Sequence, residues 1–64
     1  MIVKGIISTI NREKGEVEVI LPEYNSVVVK PFKLYREGMI STLHVNDFVV
    51  VAVFNNDFND CIVL

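Results

Sequence analysis

Residues 48–54 read Phe-Val-Val-Val-Ala-Val-Phe, and this stretch decides the fold class of the chain. Aromatic and β-branched side chains are enriched in strands, and no window of the sequence carries the apolar spacing of an amphipathic helix. Side chains alternate along a strand, which divides the stretch into two faces: Phe48, Val50, Ala52 and Phe54, and opposite them Val49, Val51 and Val53. Both faces are apolar, which indicates a strand that is covered on two sides. We expect Phe48 and Phe54 to face the core.

The remainder of the chain also divides into short β segments separated by turns. Alternation is clearest at Val17 and Val19, which are predicted to face the interior between exposed glutamates. Gly5, Gly15 and Gly38 are each expected at a turn or bulge, with Gly15 closing a hairpin at positive φ. The predicted strands are residues 2–10, 16–19, 26–30, 48–54 and 61–64, with a brief strand or extended arm at 39–43. This spacing predicts one all-β domain over residues 1–64, a small five-stranded OB-like barrel, with an SH3-like barrel as the alternative.

The second apolar face of the strand at 48–54 needs a cover. A small barrel buries only its inner face, and a row of exposed valines is prone to aggregation. One interpretation is that a partner covers Val49, Val51 and Val53, which makes these three residues the candidate interface. The alternative is that residues 31–43 fold back over them.

Few residues could carry chemistry. Cys61 is the only cysteine and His44 the only histidine, so the sequence offers neither an intrachain disulfide nor four ligands for tetrahedral zinc. We interpret His44 as a solvated turn residue and Cys61 as a small buried hydrophobe. Residues 55–60 lack the spacing of a calcium loop and are predicted to form a polar turn. We therefore expect a non-enzymatic chain with no cofactor and no metal, and a domain this small without such a staple is expected to self-associate or dock to a partner.

The charge balance argues against nucleic acid as the main partner. Eight acidic residues outnumber six basic ones, for a net charge of −2, whereas nucleic-acid binders carry a basic stripe. The apolar runs are far shorter than the roughly 20 residues of a membrane span, and no secretion signal is apparent. A single-stranded binder stacks bases on aromatic rings beside cations, and the candidate contacts for that alternative are Phe32, Lys33, Tyr35 and Arg36.

The order of the segments resembles a known family. Gly5-Ile6-Ile7, a turn ending in Lys14-Gly15, and then Val17-Glu18-Val19-Ile20-Leu21-Pro22 are similar to the start of the OB domain in phage tail spike proteins, the baseplate assembly protein V group. Val45-Asn46-Asp47 and the apolar strand after it stand where that family has Val-Gly-Asp. Residues 56–64 resemble its Gly-Asp turn and closing Val-Val-Leu strand. Asn46 replaces the family's glycine, which asparagine allows because it also adopts positive φ.

The resemblance implies a non-catalytic, trimeric domain in the hub of a phage or phage-like tail, joining the spike to the tail tube. It implies tail hub or tube proteins as partners and a location in the virion tail after synthesis in the host cytoplasm. The family's needle with its histidine-ligated iron normally follows this domain, and since the sequence ends at Leu64, membrane piercing is not carried over. Two other classes stay open: a nucleic-acid-binding OB domain similar to small RNA-binding initiation-factor domains, and an accessory OB domain of a larger membrane or enzyme chain.

Overall fold

One sheet of six β-strands accounts for most of the chain in the computed structural model, which describes all 64 residues. The strands are β1 (Ile2–Asn11), β2 (Glu16–Leu21), β3 (Val27–Val29), β4 (Lys33–Leu34), β5 (Phe48–Phe54) and β6 (Asp57–Val63), and two 3₁₀ turns occupy Pro22–Tyr24 and Met39–Ser41. The all-β prediction is confirmed. The predicted strand count was wrong by one, because β4 adds a short parallel strand beside β6, and the sheet forms an open half-barrel.

The sheet curls because the chain crosses between its two edge strands in very few residues. The strand order is β3-β2-β1-β5-β6-β4, and only residues 30–32 separate the edge strands β3 and β4. Six flat strands would hold their edges about 24 Å apart, whereas the four Cα steps from Val29 to Lys33 span at most about 14 Å. The sheet must therefore bend. The backbone N–H of Phe32 fastens the crossing by donating to the Cys61 carbonyl oxygen at 3.0 Å.

The concave face of the sheet holds the hydrophobic core. Val17 and Val19 lie in it, as the alternation predicted, and Cys61 is fully buried among them. The core cluster consists of Val3, Ile7, Val17, Val19, Leu21, Val29, Met39, Leu43, Val49, Val51, Val53, Cys61 and Val63. All of these side chains are apolar, and no polar or charged side chain is buried. The core itself is therefore stabilised by the hydrophobic effect.

The segment at residues 31–43 packs into the same core cluster as Val49, Val51 and Val53, in agreement with the alternative that this segment folds back over the three valines. The strand or arm predicted at 39–43 was wrong, since the chain forms the 3₁₀ turn Met39–Ser41. Met39 and Leu43 are buried and pack into the core cluster. On the opposite side of β5, Phe48, Val50 and Phe54 remain exposed, whereas Ala52 is buried.

Arg12 holds this 3₁₀ turn against the sheet. It lies in the turn after β1, and its guanidinium donates hydrogen bonds to the carbonyl oxygens of Ile40 and, at 2.8 Å, of Leu43. The Ile40 carbonyl lies within the 3₁₀ turn and the Leu43 carbonyl follows it, and neither accepts a hydrogen bond within the turn. A single side chain therefore links the β1–β2 turn to the segment that completes the core.

The turn residues follow their predicted chemistry in most places. Gly15 and Asn46 have φ of 68° and 75°, which confirms both as positive-φ positions. The turn predicted over residues 55–60 is shorter, because β6 begins at Asp57. Asn55 and Asn56, with φ of 56° and 55°, form a two-residue hairpin loop of the kind that matches strand twist.

Candidate functional site

The convex face of the sheet carries a continuous row of apolar side chains. Phe48 on β5 lies opposite Ile6 on β1. Ile6 lies opposite Ile20 on β2, and Ile20 lies opposite Val28 on β3. Directly opposed residues share one face of an antiparallel sheet, with Cβ atoms about 5 Å apart. Phe48 is 73% exposed and Val28 53% exposed, and the two isoleucines lie partly buried between them.

Further apolar side chains extend this row along the strands. Val50, 46% exposed, follows Phe48 on the same side of β5, and Ile2, 65% exposed, lies opposite Ala52, which in turn lies opposite Ile62. An exposed face of an antiparallel sheet ordinarily consists of polar residues, whereas here Lys4, opposite Val50, is surrounded by apolar side chains on its own and the neighbouring strands. We call this surface the outer apolar face, and its members are Ile2, Ile6, Ile20, Val28, Phe48, Val50 and Ile62.

The three valines predicted as the interface lie on the opposite side of β5. Val49, Val51 and Val53 are 8%, 0% and 2% exposed and belong to the core. The physical reason is the register with β1, which sets Val49 opposite Gly5 and Val51 opposite the inward-facing Val3. The expected orientation of the strand was therefore wrong. Phe48 and Phe54, which were expected in the core, face outward instead.

A cleft of about 480 Å³ opens at the Phe48 end of the outer apolar face. Its walls are mostly apolar, and the two charged residues at it, Lys4 and Arg36, are both cations: the lining comprises Lys4, Arg36, Met39, Leu43, Phe48, Val49, Val50 and Leu64. The ion pairs of the molecule are Lys30 with Glu18 at 3.8 Å and, when the imidazole is protonated, His44 with Asp47 at 3.7 Å. Both cleft cations thus lack a carboxylate partner.

The four residues proposed for nucleic-acid contacts are all exposed. The Lys33 Nζ lies 5.9 Å from the centroid of the Tyr35 ring, a cation–π contact that contributes about 0.5–1 kcal/mol at an exposed site. Phe32 is 64% exposed at the crossing between β3 and β4. Arg36 instead lines the cleft, so the segment divides between two surfaces.

Cys61 is held in an unreactive state. It is fully buried, and its thiol donates to the carbonyl oxygen of Phe58 at 3.4 Å. Burial raises the pKa of the Cys61 thiol, and the negative charges of Asp60 and Asp57 raise it further. Since the thiolate is the nucleophilic form, the surroundings of Cys61 suppress its reactivity.

In the polar turns, aspartate side chains accept hydrogen bonds from backbone N–H groups of the same turn. Asp47 accepts a hydrogen bond from the His44 backbone N–H at 2.9 Å, and Asp57 accepts one from the Asn59 backbone N–H at 2.9 Å. His44 is exposed beside its turn, as predicted. No cluster of three or more histidine, cysteine or acidic side chains is placed to hold a metal ion.

The chain contains no helix with the length and apolarity needed to cross a membrane. In comparisons with protein-family models, curated proteins and solved structures, nothing matches this chain. The resemblance to phage tail spike OB domains therefore rests on the sequence segments quoted above.

Proposed function

We propose that this chain is a non-catalytic structural module that assembles with copies of itself through its outer apolar face. The observation that supports the proposal is the row of Phe48, Ile6, Ile20 and Val28 across four neighbouring strands. Contiguous exposed apolar patches on small soluble domains mark interaction surfaces or aggregation liabilities. Contact with a second copy would remove this apolar row from water, which favours association.

The energetic argument concerns the size of the chain. A 64-residue domain derives only about 3–5 kcal/mol from its own core. Fully burying a valine, isoleucine or phenylalanine side chain contributes about 1.5–3 kcal/mol. Covering the four most exposed members of the face, Ile2, Val28, Phe48 and Val50, from their half-exposed state would contribute on the order of 5 kcal/mol per copy before the entropic cost of association. This gross gain is of the size needed to offset the lower end of the association cost, about 4 kcal/mol.

The resemblance supports a more specific assignment. We propose that the assembly is a trimer in the hub of a phage or phage-like tail spike, where it joins the spike to the tail tube in the virion. The segments led by Gly5, Val17 and Val45 support it, and the curled all-β sheet is compatible with an OB-like barrel.

The test is the native mass of the chain by sedimentation or light scattering, with one variant and one matched control. Phe48→Lys places a charge in the middle of the outer apolar face, and Phe32→Lys makes the same change at a similarly exposed ring, 64% against 73%, outside that face. We expect the wild-type and Phe32→Lys chains to form the same oligomer and Phe48→Lys to be monomeric, with unchanged circular dichroism. A wild-type monomer at about 100 µM, far above the Kd of a stable assembly, would overturn the proposal.

A nucleic-acid-binding domain is the second candidate, because Phe32, Lys33, Tyr35 and Arg36 are exposed within five residues. Aromatic rings beside cations are the platform on which single strands stack. The test is fluorescence anisotropy of a labelled single-stranded oligonucleotide at low salt. Binding that is lost in Tyr35→Ala and weakens with salt would support it, and no binding at low salt would remove it.

A further inference from the structure

We propose that the hairpin tip between β5 and β6 of one copy inserts into the cleft of a second copy. The hairpin tip comprises Phe54, Asn55, Asn56 and Asp57. The inference rests on the self-association proposed above and adds to it a contact between the Phe48 end of the outer apolar face and a surface outside that face. The two surfaces are chemically complementary. The cleft has apolar walls and two cations, and the hairpin tip carries an aromatic ring and a carboxylate.

The cleft selects an apolar group that carries negative charge. Its volume of about 480 Å³ lies within the usual range for sites that hold a side chain or small ligand. Met39 and Leu43 form part of its apolar lining, while Lys4 and Arg36 supply positive charge without any acidic residue at the lining. The ion pairs of the chain join Lys30 to Glu18 and His44 to Asp47, so no side-chain carboxylate pairs with either Lys4 or Arg36.

The hairpin tip carries the complementary set. Phe54 is 42% exposed and lies directly opposite Asp57 in the register of the hairpin. The Asp57 carboxylate accepts a hydrogen bond from the Asn59 backbone N–H and forms no ion pair. An aromatic ring and a free carboxylate therefore project side by side from a tight two-residue loop.

Other exposed rings fit the cleft less well. The Tyr24 ring is engaged with Phe58 at a centroid distance of 5.3 Å. Phe32 and Tyr35 flank the cation Lys33 on β4, which the positive charge of the cleft would repel. Phe48 already lines the cleft. Phe54 is the exposed ring beside an unpaired carboxylate.

The two surfaces lie at opposite ends of β5, so the contact must join different copies. Six residue steps separate Phe48 from Phe54, about 20 Å along a strand, in a molecule whose longest extent is 28 Å. The tip of a chain therefore cannot reach its own cleft. A contact between two different surfaces is heterologous, and such contacts close into rings when the rotation between copies permits. The trimer proposed above would be one such ring, whereas outer faces packed symmetrically on one another would give a dimer.

The experiment is a charge exchange read by sedimentation equilibrium. Lys4→Glu and Asp57→Lys each set like charges against one another across the contact, and we expect each to raise the dissociation constant of the oligomer at least about tenfold. The double variant Lys4→Glu/Asp57→Lys restores opposite charges and should return the constant to within about threefold of wild type. Lys14→Glu and Glu23→Lys, in exposed turns outside both surfaces, are the matched controls and should leave it unchanged. Circular dichroism verifies that each variant is folded.

The outcomes separate this pairing from the proposed function. Loss in both single variants with recovery in the double variant supports the pairing. An oligomer that is unaffected by both single variants but lost in Phe48→Lys overturns the pairing and leaves assembly through the outer apolar face standing. Loss without recovery in the double variant also overturns it. A monomeric wild-type chain overturns the proposed function and the pairing together.

Discussion

Replacing Gly5 by alanine should destabilise the fold, although alanine is usually the better residue in a strand. Gly5 lies in the middle of β1 and faces the core opposite Val49. A Cβ atom there would overlap the Val19 Cγ1 methyl and would lie 3.2 Å from Val51 Cγ2. Both valines are fully buried, and β-branched side chains have few alternative rotamers with which to yield.

The magnitude follows from two opposing effects. Removing glycine from a strand interior stabilises by about 0.5–1 kcal/mol. Overpacking a closed core costs about 1–3 kcal/mol, and the upper half of that range applies because the buried side chains of Val19, Val51 and Val49 confine the new methyl group. The expected net loss is about 1–2 kcal/mol of unfolding free energy. Against a core contribution of about 3–5 kcal/mol, that loss would be plain in a urea titration followed by circular dichroism at fixed protein concentration.

A double-mutant cycle identifies the cause. Val19→Ala removes the methyl group that Gly5→Ala would strike, so the double variant should lose about 1 kcal/mol less than the sum of the single losses. Gly15→Ala is the control: it meets open space but forces alanine to a φ of 68°, which costs about 1–2 kcal/mol and should add independently to Val19→Ala. Additive losses for Gly5→Ala and Val19→Ala would refute the steric explanation.

Three other predictions follow from contacts described above. Arg12→Gln should lower the unfolding free energy by about 1–3 kcal/mol, because two carbonyls lose a charged donor, while Lys14→Gln in the same turn should change it little in the same urea titration. Asn56→Gly should raise the thermal midpoint slightly, by about 0.5 kcal/mol of stability, since glycine suits the positive φ of the hairpin loop, and a lowered midpoint would count against this loop geometry. The pKa of the Cys61 thiol is raised above its ordinary value of 9.0 in the folded chain. Above pH 9 the unfolded chain therefore loses this proton more readily than the folded chain does, so the free energy of unfolding should decline as the pH rises. Cys61→Ala should remove that decline in urea titrations between about pH 8 and pH 10.

The sequence was informative wherever a local rule applied. Val17 and Val19 alternate with glutamates, so their inward direction follows from the strand period alone. Gly15 and Asn46 are residue types that tolerate positive φ, and both adopt it. The prediction for Gly5 was wrong for a different reason: this glycine lies mid-strand because another chain segment leaves no room for a Cβ atom, and no local pattern reports that.

The orientation of β5 shows where sequence reasoning stopped. Alternation carries no information in a strand that is apolar on both faces, so the choice between Phe48 and Val49 depends on the register with β1. That register joins residues more than forty positions apart in the chain. Lys4 offered a partial signal, since a lysine on β1 must face solvent and Val50 lies opposite it, but the pairing itself could not be read from the sequence. The candidate interface, Val49, Val51 and Val53, consequently fell on the face of β5 that forms the core.

The three-residue crossing at residues 30–32 constrains the curvature of the whole sheet. Its length limits how far β3 can stand from β4, and so determines the radius to which all six strands are bent. The convex surface has the same radius of curvature, and this curvature would affect the angle at which neighbouring copies meet in a ring. Lengthening the crossing by a few glycines would flatten the sheet without changing one residue of the outer apolar face. The number of subunits in such an assembly would then depend on the length of a loop that contributes no residue to the outer apolar face.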